Sequence, residues 1–450
     1  MSIFKAYDIR GIVPDELDEP QAYRIGRASA RYLGASTLVV GRDARRSSPE
    51  LLTAMTRGLT DEGVRILDLG LATTPMLYFA IEHLGADGGI MVTASHNPAQ
   101  YNGFKISREH AIPVGGESGL MEIEALADRL PALPASPATT TESDRRETDV
   151  RDAYVEHVLS VGSERPPLHV VIDCGNGMAA VGLELLLERL PLTVERLYFE
   201  PDGTFPNHAP DPLNEENLRD LTAAVRRTRA DLGVAFDGDA DRAIFIDERG
   251  DPVSSDLVTA LRARRQLDRA PGGRVLYDLR SSRATAEAIE AAGGVAQRCR
   301  VGHSLIKADM RECDAIFAGE LSGHFYFRFS PSLVADDGIA AFVAMLDLLG
   351  HERTPLSELV SPLRRYHASG EISLRVRDVP ALLRAVEAEH AEAPEVSHMD
   401  GLLVRYEDWW FNLRPSNTEP LLRLTLEADT EERMVHERDR LLAQMEASAG

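Results

Sequence analysis

The feature that most constrains this chain is a unit that occurs three times. Each copy reads as an apolar strand, a helix, a second strand, then a third apolar strand that ends in a polar loop. In the first copy Leu38-Val39-Val40 leads into Gly41-Arg42-Asp43, residues 64–69 form the second strand, and Gly89-Ile90-Met91-Val92 runs into Thr93-Ala94-Ser95-His96-Asn97-Pro98. In the second, His169-Val170-Val171-Ile172 leads into Asp173-Cys174-Gly175-Asn176-Gly177, residues 194–199 follow, and Leu232-Gly233-Val234-Ala235-Phe236 runs into Asp237-Gly238-Asp239-Ala240-Asp241-Arg242. In the third, Arg274-Val275-Leu276-Tyr277 leads into Asp278, residues 295–301 follow, and Ala315-Ile316-Phe317-Ala318 runs into Gly319-Glu320-Leu321-Ser322-Gly323-His324.

Short apolar strands alternating with helical stretches predict mixed, mostly parallel sheets covered by helices. Ligands of such sheets bind beyond the carboxyl ends of the strands. The same strand of each copy ends in a loop of hydroxyls, carboxylates or imidazole, so three equivalent loops facing one cleft is the economical reading. Three unrelated surface turns is the alternative. A Pro-, Ser- and Thr-rich stretch at residues 131–148 reads as the first linker. The expected division is three related α/β domains, 1–140, 149–248 and 249–362, and a smaller α+β C-terminal domain, 368–450, around a central cleft.

A chain of 450 residues, 44% of them apolar, can fill several cores. It has no run of 18 apolar residues and no basic segment followed by an apolar stretch at its start. Neither a membrane span nor a secretory signal is expected. Three scattered cysteines argue for a reducing, cytoplasmic setting and against both a disulfide framework and a zinc cluster. The net charge of −23 disfavours nucleic acid and anionic membranes as partners. An enzyme of this charge acting on anionic substrates must concentrate its cations at the site. The chain uses arginine almost throughout and retains only three lysines: Lys5, Lys105 and Lys307. An ammonium gives up a proton far more readily than a guanidinium.

Asp237, Asp239 and Asp241 are the strongest chemical signal. Three carboxylates at spacing two want a hard cation such as Mg²⁺, Mn²⁺ or Ca²⁺. Glu248 falls at position 12 of an EF-hand loop, but position 6 is Arg242 instead of glycine and strands flank the loop. Arg242 offers a phosphate clamp beside the metal. Ser95 sits at the end of a buried strand with room for a phosphate. A hydrolase pairing of Ser95 with His96 is disfavoured, because adjacent side chains on an extended segment point apart and G-x-S-x-G is absent. Glu320 and Ser322 can bind vicinal sugar hydroxyls, and His324 can move protons. Arg414, Ser416, Asn417 and Thr418 form a phosphate cradle without a Walker sequence. Lys307, one turn into a helix opened by His303, offers a cation to an anionic ligand. Tyr7 and Arg10 near the N-terminus, and a turn at Asn102-Gly103-Phe104-Lys105, add further candidates. Lys105 becomes a general acid or base if nearby cations or burial depress its pKa. The segment 175–180 imitates a dinucleotide fingerprint, but Asp173 before it would crowd a pyrophosphate.

At this point the chain resembles the α-D-phosphohexomutase superfamily, in its bacterial phosphomannomutase/phosphoglucomutase branch. The segments that carry the resemblance are KAYDIRG (5–11), TASHNP and NGFK (93–105), DGDADR (237–242), VGHSLIK (301–307), GELSGH (319–324) and RPSNTEP (414–420), in family order. The resemblance implies that Ser95 is a phosphoserine and that Asp237, Asp239 and Asp241 bind Mg²⁺ together with its phosphate oxygen. Glu320 and Ser322 would hold the sugar, and Arg414, Ser416, Asn417 and Thr418 its non-reacting phosphate. Tyr7, Arg10, His303 and Arg242 would line the cleft, and Lys105 and His324 would transfer protons. It implies interconversion of hexose 1- and 6-phosphates of mannose or glucose, with glucose 1,6-bisphosphate as intermediate and activator, by a monomer or weak dimer. A phosphoglucosamine mutase is the alternative within the family. A serine-dependent sugar phosphatase and a phosphosugar sensor are the alternatives from other classes.

Overall fold

The computed structural model describes residues 2–131, 144–415 and 421–447. Four sheets organise it. In the first, the strands Arg65–Leu71, Thr37–Arg42, Gly88–Val92 and Tyr101–Arg108 are neighbours in that order; Ile9–Ile12 and Arg145–Glu147 form the two edges. The second sheet repeats the order with Thr193–Leu197, His169–Asp173, Leu232–Phe236 and Ala243–Ile246, closed by Pro252–Val253. The third repeats it with Val295–Cys299, Arg274–Asp278, Phe317–Gly319 and Phe325–Arg328, closed by Val334–Asp336. In each unit the first strand pairs in parallel with the second and third, and the fourth returns antiparallel to the third.

The first sheet corrects two readings. Asn102-Gly103-Phe104-Lys105 is no turn; it lies inside the strand Tyr101–Arg108, paired to Gly88–Val92 with Lys105 opposite Met91. The polar loop of each unit therefore joins two adjacent antiparallel strands and is held at both ends. Arg145–Glu147, read as linker, pairs in parallel with Arg65–Leu71 at the sheet edge. The C-terminal sheet is antiparallel throughout, in the order His367–Arg375, Leu421–Ala428, Trp409–Pro415, Leu402–Arg405, Glu395–Ser397.

The largest core joins the facing sides of the second and third units to the helix Thr74–His83 of the first. The helix Gly338–Glu352 at its centre is apolar nearly all round and almost wholly buried, as a helix covered on every side must be. The far side of the first unit and the C-terminal unit each have a core of their own. The helix Thr74–His83 starts on Pro75 in its first turn, and the Thr73 hydroxyl caps it by accepting from Met76 N at 3.0 Å. The cysteines are unpaired, and no helix of the described residues is long and apolar enough to cross a membrane.

Candidate active site

The strand Gly88–Val92 is buried throughout and delivers Ser95 to the junction with the second unit. Ser95 has φ +51°, a left-handed backbone rarely used by a β-substituted residue. This explains a departure from the sequence reading. The segment is bent at Ser95, so the His96 ring swings back, and its Nδ1 lies 3.2 Å from Ser95 Oγ. Burial and the nearby Arg242 and Arg10 push the His96 pKa well below its ordinary value, so the ring is neutral.

The bend is held by Arg45, a residue that sequence reasoning missed. Its buried guanidinium donates to the carbonyls of Ser95 at 2.8 Å, Asn97 at 2.6 Å, Pro98 at 2.7 Å and Tyr101 at 3.0 Å, and to Asp43 Oδ2 at 3.0 Å. Only its place just past the strand Thr37–Arg42, at the sheet end that carries every polar loop, could have marked it.

Ser95 Oγ donates to Asp237 Oδ2 at 2.8 Å, across 142 residues of sequence. The two loops come this close because position 238 is glycine: a Cβ there would overlap the Ser95 carbonyl oxygen. The segment once compared with a dinucleotide fingerprint supports the acidic loop from behind, where Met178 N donates to Gly238 O at 2.9 Å. Asp237, Asp239 and Asp241 are fully buried, and each offers an oxygen within 4.8 Å of the others. Burial and the other two carboxylates hold Asp237 well above the usual carboxylate range. Burial works the same way on Asp241, but Lys105, His324 and Arg242 overcome it and hold its pKa low. Asp239 Oδ1 is buried with no hydrogen-bond partner among the described residues. A trio of close carboxylates with an unclaimed oxygen suits a hard divalent cation.

Lys105 reaches Asp239 Oδ2 at 2.6 Å and Asp241 Oδ2 at 2.5 Å. The sequence reading looked to cations or burial to depress its pKa. Burial does act in that direction, but the neighbours are anions, and Asp239 and Asp241 hold the group well above its ordinary value. A second group missed in the sequence is Thr74, whose hydroxyl donates to Asp239 Oδ2 at 2.6 Å.

The third unit closes on this centre by backbone pairing: Arg242 and His324 form an antiparallel bridge, and Ala243 N donates to Gly323 O at 3.0 Å. His324 Nε2 lies 3.2 Å from Asp241 Oδ1, while Nδ1 lies 3.0 Å from Ser322 Oγ and 3.4 Å from Glu320 Oε2. Burial opposes protonation, yet Asp241 and Glu320 lift the His324 pKa to about 9. Glu320 accepts from Tyr326 Oη at 2.7 Å and from Arg280 at 3.3 Å. Arg280, also unread in the sequence, bridges onward to Glu371 of the C-terminal unit at 3.3 Å, and Glu371 pairs with Arg414 at 3.3 Å. Ser416, Asn417 and Thr418 lie outside the described residues.

Of the remaining candidates, Arg10 pairs with Asp8 at 2.7 Å and donates to the Asn97 side chain of the serine loop. Tyr7 Oη donates to Val301 O at 3.0 Å, and its ring lies against His303. The His303 ring is centred 6.1 Å from that of His324, and both its nitrogens lack partners among the described residues. Burial and the nearby Lys307 and Lys105 keep it neutral. Lys307 meets this centre only through Asp336, whose Oδ2 lies 3.7 Å from His324 Nε2. It is fully buried, paired with Asp336 at 2.8 Å beneath the Tyr78 ring, because one helical turn carries its side chain back into the core.

Four family models match in chain order: phosphoglucomutase/phosphomannomutase alpha/beta/alpha domain I over residues 1–132, domain II over 152–250, domain III over 254–366, and the C-terminal domain over 371–444. The chain belongs to the phosphoglucomutase/phosphomannomutase family. It is 42% identical over 429 residues to phosphohexose mutases of Xanthomonas campestris, covering 94% of each chain. It is 41% identical over 451 residues to a phosphomannomutase of Salmonella typhimurium, covering 98% of each. A crystal structure of a phosphoglucomutase/phosphomannomutase family protein from Burkholderia thailandensis superposes with a TM-score of 0.88 at 36% identity, over 100% of this chain and 98% of that one. Its chemistry is therefore that of a phosphohexomutase, an intramolecular phosphotransferase of the isomerase class.

Proposed function

We propose that this family member interconverts the 1- and 6-phosphates of glucose and mannose through phospho-Ser95 and a hexose 1,6-bisphosphate, in the cytoplasm, as a monomer or weak dimer. The observation that carries this reading is the 2.8 Å contact between Ser95 Oγ and Asp237 Oδ2. It sets a nucleophilic hydroxyl against three carboxylates fit for a cation. Mg²⁺ bound by Asp237, Asp239, Asp241 and the Ser95 oxygen would supply charge neutralisation for phosphoryl transfer.

The chain's own residues do the rest. The Arg45 cradle and the Gly238 contact hold Ser95 in position, and positioning is a large part of what phosphoryl transfer requires. Phospho-Ser95 gives its phosphoryl group to the free hydroxyl of a hexose monophosphate. The bond from phosphorus to Ser95 Oγ breaks as the bond to the sugar oxygen forms, and the proton lost by the sugar hydroxyl is matched by one gained at Ser95 Oγ. Lys105 and His324, beside the triad, would carry that proton, each only after giving up the one its anionic neighbours hold on it. After the bisphosphate turns over, the second transfer restores phospho-Ser95. Glu320 and Ser322 would bind the sugar hydroxyls. Tyr7, Arg10, Arg242, His303 and the cradle of Arg414, Ser416, Asn417 and Thr418 would receive the substrate, and Arg242 and Arg414 supply the cations that a chain of net charge −23 must gather at its site.

Intact mass of the purified protein tests this reading. One phosphate is expected on the wild type and none on Ser95→Ala, with activity lost in the variant and stimulated in the wild type by glucose 1,6-bisphosphate. Wild-type turnover by Ser95→Ala ends the proposal, and net release of inorganic phosphate would mark a phosphatase instead. Comparing kcat/KM for glucose, mannose and glucosamine 1-phosphates ranks the sugars.

A further inference from the structure

We propose that Thr74 is the positioning residue of the cation site, fixing which oxygen of Asp239 is offered to the metal; this rests on the cation reading above. Thr74 is the first residue of the helix Thr74–His83 in the first unit, while Asp239 lies 165 residues away in the second. The neighbouring Thr73 uses its hydroxyl to cap the helix. Thr74, fully buried, turns its hydroxyl to the second unit instead, and it grips Asp239 twice. Its N–H donates to the Asp239 carbonyl at 3.0 Å and its hydroxyl to Asp239 Oδ2 at 2.6 Å.

The consequence lies in the two carboxylate oxygens. Oδ2 receives Thr74 Oγ1 and, at 2.6 Å, Lys105 Nζ, whereas Oδ1 receives no donor among the described residues. Lys105 alone cannot define this orientation, because its ammonium is shared with Asp241 at 2.5 Å. The Thr74 hydroxyl is the directional donor that keeps Oδ2 turned toward the first unit and leaves Oδ1 for the ion. Partners of this kind, which orient a ligand without touching the metal, change metal affinity by about 10–100-fold when removed. The cation site is thus shared between two units, with one supplying the carboxylates and the other their orientation.

The test is Mn²⁺ binding without sugar, read by electron paramagnetic resonance of the free ion, on wild type, Thr74→Val, Thr74→Ser and Asp239→Asn, with the melting temperature of each metal-free protein. Thr74→Val keeps the shape and removes the donor. It should weaken Mn²⁺ by about 10–100-fold, and Thr74→Ser should restore binding. If circular dichroism finds the valine variant unfolded, Thr74→Ala takes its place. Wild-type affinity in the valine or alanine variant, or a serine variant as weak as valine, overturns the proposal. Asp239→Asn separates the two readings. If it also binds normally, the cation site itself is wrong and Thr74 falls with it; if it binds weakly while Thr74→Val binds normally, only Thr74 falls.

Discussion

Gly238 is the residue on which the approach of the two loops turns. Adding one methyl group would press on the carbonyl oxygen of Ser95, which also accepts from Arg45. The acidic loop must then move back by a fraction of an ångström to an ångström. We expect Gly238→Ala to fold with wild-type circular dichroism and to lose about 100-fold in kcat, the order expected when reacting groups are misplaced by about 1 Å. Wild-type kcat would show that the contact is incidental. Lys105 teaches the complementary lesson. Its rarity in the sequence marked it, but the sign of its pKa shift depends on neighbours more than 130 positions away. Local sequence cannot supply those neighbours, and the lowering by burial and Arg10 is outweighed by Asp239 and Asp241.

At the scale of elements, the helix Arg151–Leu159 shows how the three units are joined. Its His157 ring is wedged between Phe79 of the first unit, 4.7 Å away, and Phe329 of the third, 4.1 Å away, with His83 stacked on the far side of the cluster against Phe79. Burial, assisted by His83, lowers the His157 pKa from 6.5 to about 4. The folded protein therefore binds a proton less readily than the unfolded chain. The stabilising contribution is complete above about pH 6.5 and is lost as pH falls toward 4, and the difference amounts to about 3 kcal/mol. Urea midpoints at pH 7 and pH 4.5 should fall further apart in the wild type than in His157→Gln. Equal separations would remove His157 from the acid response. The strand Tyr101–Arg108 belongs to this scale as well. The sequence reading missed it because its Asn-Gly pair is a turn signal, which the sheet overrides by pairing both residues with Arg10 and Gly11.

At the scale of the whole molecule, the C-terminal unit is tied to the third by charge. Glu371 stands between Arg280 on one side and Arg414 and Arg423 on the other, at 3.1–3.3 Å. Removing its charge leaves three guanidiniums facing one another across the junction. Glu371 is partly buried and Arg280 and Arg414 are nearly enclosed, so the loss is at least the roughly 1 kcal/mol of an exposed ion pair. Glu371→Gln should therefore raise KM for hexose phosphates by at least about fivefold, with a smaller change in kcat, because the reacting centre at Ser95 is untouched. A fall in kcat at constant KM would argue against this picture.

The sequence by itself determined the repeated unit and the polar loops, because apolar periodicity and strings such as DGDADR are local properties of the chain. It marked the three aspartates by their spacing and Ser95 by its place at a strand end within the TASHNP motif. Tertiary structure decided what surrounds them: the left-handed bend at Ser95, the Arg45 cradle, the Thr74 grip on Asp239, and the buried ion pair of Lys307 with Asp336. These features depend on partners supplied by other strands and other units. An isolated segment does not encode the distance, burial or charge of a residue that folding alone brings beside it.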